Sequence, residues 1–309
     1  MMWNYLRAKR NAAVQEGDLW QVELRSKAEF DALWRTDAQL FSRRRAFEAS
    51  LAQELPAGQS RKLPGHCAVC GKDTMFIYDH QYASAGGVNW RERLLCAKCG
   101  LNNRQRLAMH LLRRFGAKRG SRIYATEQTT PTAAALRTHY RHMVGSEYLG
   151  PGWTSGQVDA NGIRHEDVTA LSFPDGQFDW IVTFDVLEHV PDYRVALGEF
   201  ARVASGCGNL IVTVPQDLRS EENIIRAELD GTGRVIHRLP PEYHGDPVNP
   251  DEGILCYYHF GWELLRDLRK AGFRSAAVVL SWSRRLGHLG GEQAIIVASK
   301  ANGFPSVRN

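Results

Sequence analysis

Hydrophobic and polar positions change rhythm near residue 120 of this 309-residue chain. Before that point, LWQVELRSKAEFDALWRTDAQLFSRRRAFEASLAQEL sets apolar residues near helical spacing with no strong turn signal, which predicts two or three helices within residues 1–60. Pro56, Gly58, Pro64 and Gly65 mark the exit from them. A further helix is predicted from about Asn103 to Phe115. Beyond Gly120, short apolar runs alternate with helical patterns, as in βαβ units around a parallel sheet. SRIYA, HMVGSEYL, DWIVTF and NLIVTVP read as strands, IRHED as a candidate short strand, and RSAAVVLSW and EQAIIVAS as the last two. TPTAAALRTHY, VALGEFARVA and GWELLRDLRKAGF read as helices, the last with Gly272 suited to its C-terminal cap. Gln216 to His259 fits neither rhythm. An irregular stretch of that length inside a compact domain marks a lid or binding loop.

One run breaks its own pattern. In FDWIVTFDVLEHV, residues 178–190, an apolar strand is followed at once by Asp185, Glu188 and His189. Burying such groups is expensive without partners or water. Both are on offer at the carboxyl end of a parallel strand, where open α/β sheets bind ligands.

Composition narrows the class. At 43% hydrophobic and 24% charged residues the chain is neither disordered nor fibrous, and its length predicts two domains. The start lacks a secretory pattern, and no run approaches the ~18 apolar residues of a membrane span. A soluble cytoplasmic protein with no membrane partner is expected; oligomeric state has no signal in the sequence. The net charge of +5 is uneven: residues 61–122 carry 13 Lys/Arg against 3 Asp/Glu, and residues 123–309 carry 17 against 23. The basic segment would attract nucleic acid, phosphorylated small molecules or the acidic remainder of the chain.

Within that basic segment, Cys67, Cys70, Cys96 and Cys99 form two CxxC pairs 25 residues apart, each followed by glycine. Four soft ligands suit tetrahedral Zn2+. An iron–sulfur cluster, a redox pair and disulfides are the alternatives, the last disfavoured in a reducing compartment. Cys207 and Cys256 stand alone and read as ordinary thiols. A zinc ribbon can bind nucleic acid, dock a partner or stabilise a segment too small to fold unaided. Arg104, Arg106, Arg113, Arg114, Lys118, Arg119 and Arg122 follow with no acidic residue between Leu101 and Arg122. They fit an RNA or DNA surface, or a solvated basic face against the acidic part of the chain.

The run from Glu166 to Pro215, with its D-x-x-x-L-x-F-x-x-x-x-F-D segment and following DVLEHV, resembles the latter half of a class I S-adenosylmethionine-dependent methyltransferase domain of the type 11 kind. That resemblance implies an α/β protein: a Rossmann-like seven-stranded sheet over residues 120–300, with a substrate loop at 216–259. A helical region at 1–60 and a zinc-binding module with its basic helix at 61–119 precede it. The implied cofactor is S-adenosylmethionine. Glu147 would bridge its ribose hydroxyls and Tyr148 would flank the adenine. Asp167 would accept from the adenine amino group with Val168 against the ring, and Asp185 would lie near the methionine portion. The glycine-rich loop usual in the family is replaced by YATEQTTPTAA. There Glu127 would reach the cofactor's amino group, with Gln128 and Thr129 at the helix start. A cap or surface role is the alternative for Glu147, and a helix or turn cap for Asp167. At the rim, His189 beside Glu188 is the candidate general base, since an imidazole titrates near neutrality; His244 and His259 compete with it, and a purely structural His189 is the alternative. The expected reaction is methylation of an oxygen, less readily a nitrogen, of a polar small molecule or glycan. An RNA methyltransferase is the rival reading, and a non-catalytic interaction protein of the same fold is a distant third.

Overall fold

The computed structural model describes residues 19–83, 87–245 and 253–304; residues 1–18 of the expected helical region and 246–252 of the expected substrate loop lie outside these. In chain order the elements are β1 (Trp20–Leu24), α1 (Lys27–Thr36), α2 (Ala38–Gln53), β2 (Arg61–Cys67), β3 (Lys72–Tyr78), β4 (Leu95–Cys96), α3 (Asn103–Arg114), β5 (Arg122–Ala125), α4 (Pro131–His139), β6 (His142–Gly145), β7 (Phe178–Phe184), a single 3-10 turn (Leu187–His189), α5 (Tyr193–Val203) and β8 (Ala204–Thr213). The short strands β9 (Ile224–Ile225), β10 (Ala227–Leu229), β11 (Val235–His237), β12 (Tyr243–His244), β13 (Ile254–Leu255) and β14 (Tyr258–His259) follow, then α6 (Glu263–Lys270), β15 (Ser275–Ser283) and β16 (His288–Ser299).

Seven strands form one sheet in the order β1-β15-β16-β8-β7-β5-β6. The pairs β5/β6, β5/β7 and β7/β8 are parallel, and β16 runs antiparallel to β8. This mixed α/β sheet resembles the Rossmann-like methyltransferase arrangement, but residues 120–300 supply six of its strands and the seventh is β1, from outside the expected bounds.

The chain divides into two compact units. The larger takes in residues 23–38, 107–279 and 294–309. Its sheet centre is apolar: Ile181 and Val182 of β7 and Leu210, Ile211 and Val212 of β8 are all buried. Each such side chain contributes roughly 1.5–3 kcal/mol on burial. Tyr124, Phe173 and Phe178 pack as a ring cluster with centroids 4.9 to 5.4 Å apart. Helix α4 begins where Thr130 accepts from Ala133 N and Pro131 supplies a preset φ in the first turn. Gly272, at φ +117°, ends α6 in a conformation that favours glycine.

The smaller unit holds residues 1–22, 39–106 and 280–293. In it β2, β3 and β4 form an antiparallel sheet. Its interior is unusually ionic. Glu48 accepts from Trp282 Nε1 at 2.8 Å and from Gly290 N at 2.7 Å. Arg106, with no exposed surface, donates to the carbonyls of Leu94, Leu286 and Gly287 and lies 4.1 Å over the Phe76 ring.

Two expectations change. WQVEL is strand β1, not the start of a helix: Trp20, Val22 and Leu24 alternate with polar residues, a period of two inside a window read as helical. IRHED forms no strand. The stretch holds only isolated bridges, Glu147 with His165 and Val158 with Arg164, because Asp159 pulls the backbone into a turn by accepting from Asn161 N and Ile163 N. The long segment after β8 is less irregular than expected. Its described residues form three short antiparallel pairs, β10/β11, β12/β13 and β9/β14.

Candidate active site

Two groups of polar residues gather at the carboxyl ends of β5, β6 and β7, all within the larger unit. The first surrounds Glu147, just past β6 and largely buried. Its Oε1 accepts from Gln128 N at 2.7 Å and from Thr129 N and Oγ1, both at 2.8 Å. The Gln128 carboxamide continues outward, donating to the Gly162 carbonyl at 2.7 Å and accepting from Arg164 N at 3.0 Å. Glu127 Oε2 accepts from Thr130 Oγ1 at 2.6 Å. The loop that lacks glycine is thus held in shape by side chains. Room for its backbone comes from the neighbouring strand: a Cβ on Gly145 would meet the Glu127 carbonyl at 2.5 Å. Gly145 does not stand out in the sequence; a glycine two residues before the acidic residue was the available signal.

Asp167 and Tyr148 lie near one another. Burial chiefly, with the Asp167 charge second, raises the Tyr148 hydroxyl's pKa, while the residue keeps half its surface exposed. Asp167 Oδ1 accepts from Thr169 N at 2.8 Å and Oγ1 at 2.7 Å, so it also closes a turn. Val168 is half-buried. Asp185 ends β7 at φ +53°, in the left-handed region. Its N–H donates to the Thr213 carbonyl at 2.8 Å and its Oδ1 accepts from Thr213 Oγ1 at 2.9 Å, which fixes the turn.

The second group begins on the 3-10 turn after Asp185. Glu188 is fully buried. Its Oε1 is 3.9 Å from His189 Nε2 and 3.8 Å from His244 Nδ1, and those two nitrogens are 3.3 Å apart. His189 Nδ1 faces the Leu255 carbonyl at 2.8 Å. His244 Nε2 faces Glu242 Oε1 at 3.0 Å, as does His259 Nε2. Arg226 closes the set at 3.1 Å from Glu242 Oε2. Burial pushes the Glu242 carboxyl up, but the His244 and His259 hydrogen bonds and the His259 and Arg226 charges outweigh it and hold it below the ordinary value. The three candidate bases thus fall into one network. Its organiser, Glu242, was one of many polar residues in its segment, and no spacing singles it out.

In the smaller unit the four cysteines converge. Their sulfurs all lie within 4.8 Å of one another, with Cys67 to Cys99 and Cys70 to Cys96 both 3.9 Å apart. Zinc–sulfur bonds of about 2.3 Å in a tetrahedron set sulfurs about 3.8 Å apart, so this donor set fits the ion. Backbone N–H groups of Cys70 and Lys98 point at Cys67 and Cys96 sulfur. Part of the basic stretch after them is engaged within the fold: Arg104 forks onto Glu92 and Arg106 is buried, while Lys118, Arg119 and Arg122 are exposed, the last paired with Asp179 at 2.6 Å.

No match was found among curated proteins. Solved structures similar to this chain include an S-adenosylmethionine-dependent methyltransferase from Mesorhizobium loti (15% identity, covering 62% of this chain and 96% of that one, TM-score 0.37). Another is from Listeria monocytogenes (11%, 63% and 98%, TM-score 0.38). A third is the 1,6-didemethyltoxoflavin-N1-methyltransferase of Burkholderia thailandensis (18%, 62% and 75%, TM-score 0.34). Likeness this distant carries no substrate to this chain. Among the described residues no helix is long and apolar enough to cross a membrane. Residues 108–212 match the family described as the methyltransferase domain. That stretch contains the Glu147 and Asp167 sites and the Asp185–His189 corner, so the part of the chain that matches a methyltransferase domain is the part that carries them.

Proposed function

We propose that this enzyme methylates an oxygen, less readily a nitrogen, of a polar small molecule or glycan. The observation that carries the reading is the convergence of Glu188, His189 and His244 directly after β7. Bound S-adenosylmethionine would supply the methyl group, the acceptor oxygen bonding to the methyl carbon as its bond to sulfur breaks and the neutral thioether leaves. The residues around Glu147 suit this cofactor: a carboxylate at a strand end for a ribose diol, a capped helix start for its polar groups, and Asp167 with Tyr148 for the adenine. Asp185 would place negative charge near the cation. Removal of the acceptor's proton falls to the His189 and His244 group, where Glu242 and the Leu255 carbonyl fix which ring nitrogens carry hydrogen. Positioning and proton removal are the protein's main shares of such a reaction.

The four cysteines are read as a structural zinc site that holds the smaller unit together. The commitments of Arg104 and Arg106 inside the fold speak for the small-molecule or glycan acceptor over RNA, because backbone binding needs several free cations aimed at phosphates.

The test is methyl transfer from labelled cofactor across hydroxylated metabolites, nucleotide sugars and RNA, in the wild type and the His189→Ala variant. Labelling of a hydroxylated small molecule that falls at least tenfold in the variant supports the reading. Labelling of RNA alone, with affinity that weakens steeply with salt and disappears in an Arg113→Glu, Arg114→Glu double variant, would replace it.

A further inference from the structure

The polar segment after β8 reads in the sequence as a lid or binding loop, yet its neck is built as a fixed joint. Residues 216–223 lead into β9, residues 260–263 lead out of β14, and hydrogen bonds lace the two stretches together. Asp217 N donates to the Phe260 carbonyl at 2.9 Å, Trp262 N to the Ser220 carbonyl at 3.1 Å and Glu263 N to the Glu221 carbonyl at 2.8 Å. The chains run so close that a Cβ on Gly261 would meet the Glu222 carbonyl at 2.3 Å.

Asn223 stands at the centre of this joint. Its Oδ1 accepts from Gly261 N at 2.9 Å, and its Nδ2 donates to Tyr193 Oη at 2.7 Å. Tyr193, with no exposed surface, passes its own hydrogen to the buried Asp267 Oδ2 at 2.6 Å. Burial first, and Asp267 second, raise the pKa of that hydroxyl and keep it a donor. Arg194 Nε and Lys270 Nζ donate to the same carboxylate at 2.9 and 3.2 Å. Every donor from Gly261 to Asp267 thus points the same way, the arrangement in which hydrogen bonds reinforce one another.

The far end of this chain of bonds lies beside the acceptor-side histidines. Asn223 directly precedes β9, whose Ile224 pairs in register with His259 of β14. The Tyr193 ring packs edge-on against Tyr258 and Phe260, the residues on either side of His259, with centroids 4.9 and 5.0 Å apart. His259 in turn shares Glu242 with His244.

We infer that Asn223, backed by Tyr193 and Asp267, is a positioning residue for the acceptor side of the site. It fixes the β9/β14 pair and, through it, His259, Glu242 and His244, so that this arm is a standing wall and not a lid hinged at its neck. The catalytic meaning rests on the methyl transfer proposed above, whereas the structural half is read without cofactor or acceptor.

Hydrogen exchange and nitrogen-15 spectra are recorded on the full-length wild type, Asn223→Ala, Tyr193→Phe and Leu264→Ala, the last cutting a buried side chain of α6 outside the polar chain. In the wild type the Phe260 and Gly261 amides should exchange as slowly as those of β7. Asn223→Ala should speed Gly261 exchange about tenfold or more relative to β7 and shift or broaden the Nε2–H signals of His244 and His259. Tyr193→Phe should act in the same direction, and Leu264→Ala should leave both histidine signals in place. If Asn223→Ala does not fold, Tyr193→Phe, which keeps the ring contacts, carries the decision. With an acceptor in hand, Asn223→Ala should lower kcat about tenfold or more at unchanged KM for S-adenosylmethionine, because Glu147 and Asp167 lie outside this chain of bonds. Histidine signals unchanged in the folded variants, equal changes in Leu264→Ala, or wild-type neck amides that exchange like an open loop would overturn the inference. Signals as expected without methyl transfer to any acceptor would leave it standing and overturn the proposed reaction alone.

Discussion

Arg106 and Glu48 in the smaller unit and Glu188 in the larger are all buried, with His189 half-buried beside Glu188, and the two groups differ in what surrounds them. The first pair ends on carbonyls, backbone N–H groups and an indole N–H, all of which have one fixed role. The second, besides the Leu255 carbonyl, ends on other titratable groups able to change protonation. Burial alone therefore does not mark a functional site. A buried charge answered by groups of fixed polarity stabilises a fold, and buried charges that converge on one another are poised for chemistry.

The comparison breaks most readily in the smaller unit. If its four thiolates hold zinc, strong chelation removes a contribution on the order of 10 kcal/mol. Residues 61–106 should then become open to proteolysis while the larger unit keeps its cooperative melting. An intact smaller unit after chelation would contradict this. Next in size, Arg106→Met leaves the Leu94, Leu286 and Gly287 carbonyls without their donor and should cost roughly 3–5 kcal/mol in denaturant titration. A loss under about 1 kcal/mol would show that burial of this charge is not structural.

In the larger unit, Gly145→Ala drives a methyl group into the Glu127 carbonyl and should cost about 1–3 kcal/mol, with a parallel loss of cofactor affinity. The pH response is smaller and has a defined sign. The folded-state pKa of Glu242 is depressed, so its contribution is fully present above the ordinary value of 4.5 and is lost as pH falls through the lower folded value. Exchange protection of the backbone around Tyr243 and Leu255 should weaken in that window, and Glu242→Gln should flatten the dependence. Arg122→Ala, which removes a half-exposed ion pair with Asp179, should change stability by less than about 1 kcal/mol.

Periodicity alone disclosed most of the parallel strands and their helices, because buried central strands such as DWIVTF are mostly apolar and bounded by turn residues. It failed at WQVEL, where five residues are too few for a period of two to stand out before pairing fixes it. It failed at IRHED, where Asp159 turns the backbone first. Candidate residues were legible where an acidic side chain directly follows an apolar strand, as Glu147 follows β6 and Asp185 follows β7. They were illegible where contacts join distant segments. Thr213 holding Asp185, Gln128 spanning to residues 162–164, and Glu242 joining two histidines each depend on a pairing that no local pattern encodes.

The central claim is that the cofactor sits on the Glu147 and Asp167 side of this network. Calorimetric titration of S-adenosylmethionine into the wild type, Glu147→Ala and Asp167→Ala tests it most directly. One site per chain is predicted, weakened about 10- to 100-fold in each variant through loss of a charged hydrogen bond worth roughly 1.5–3 kcal/mol. No binding by the folded wild type, or unchanged affinity in both variants, would contradict the account.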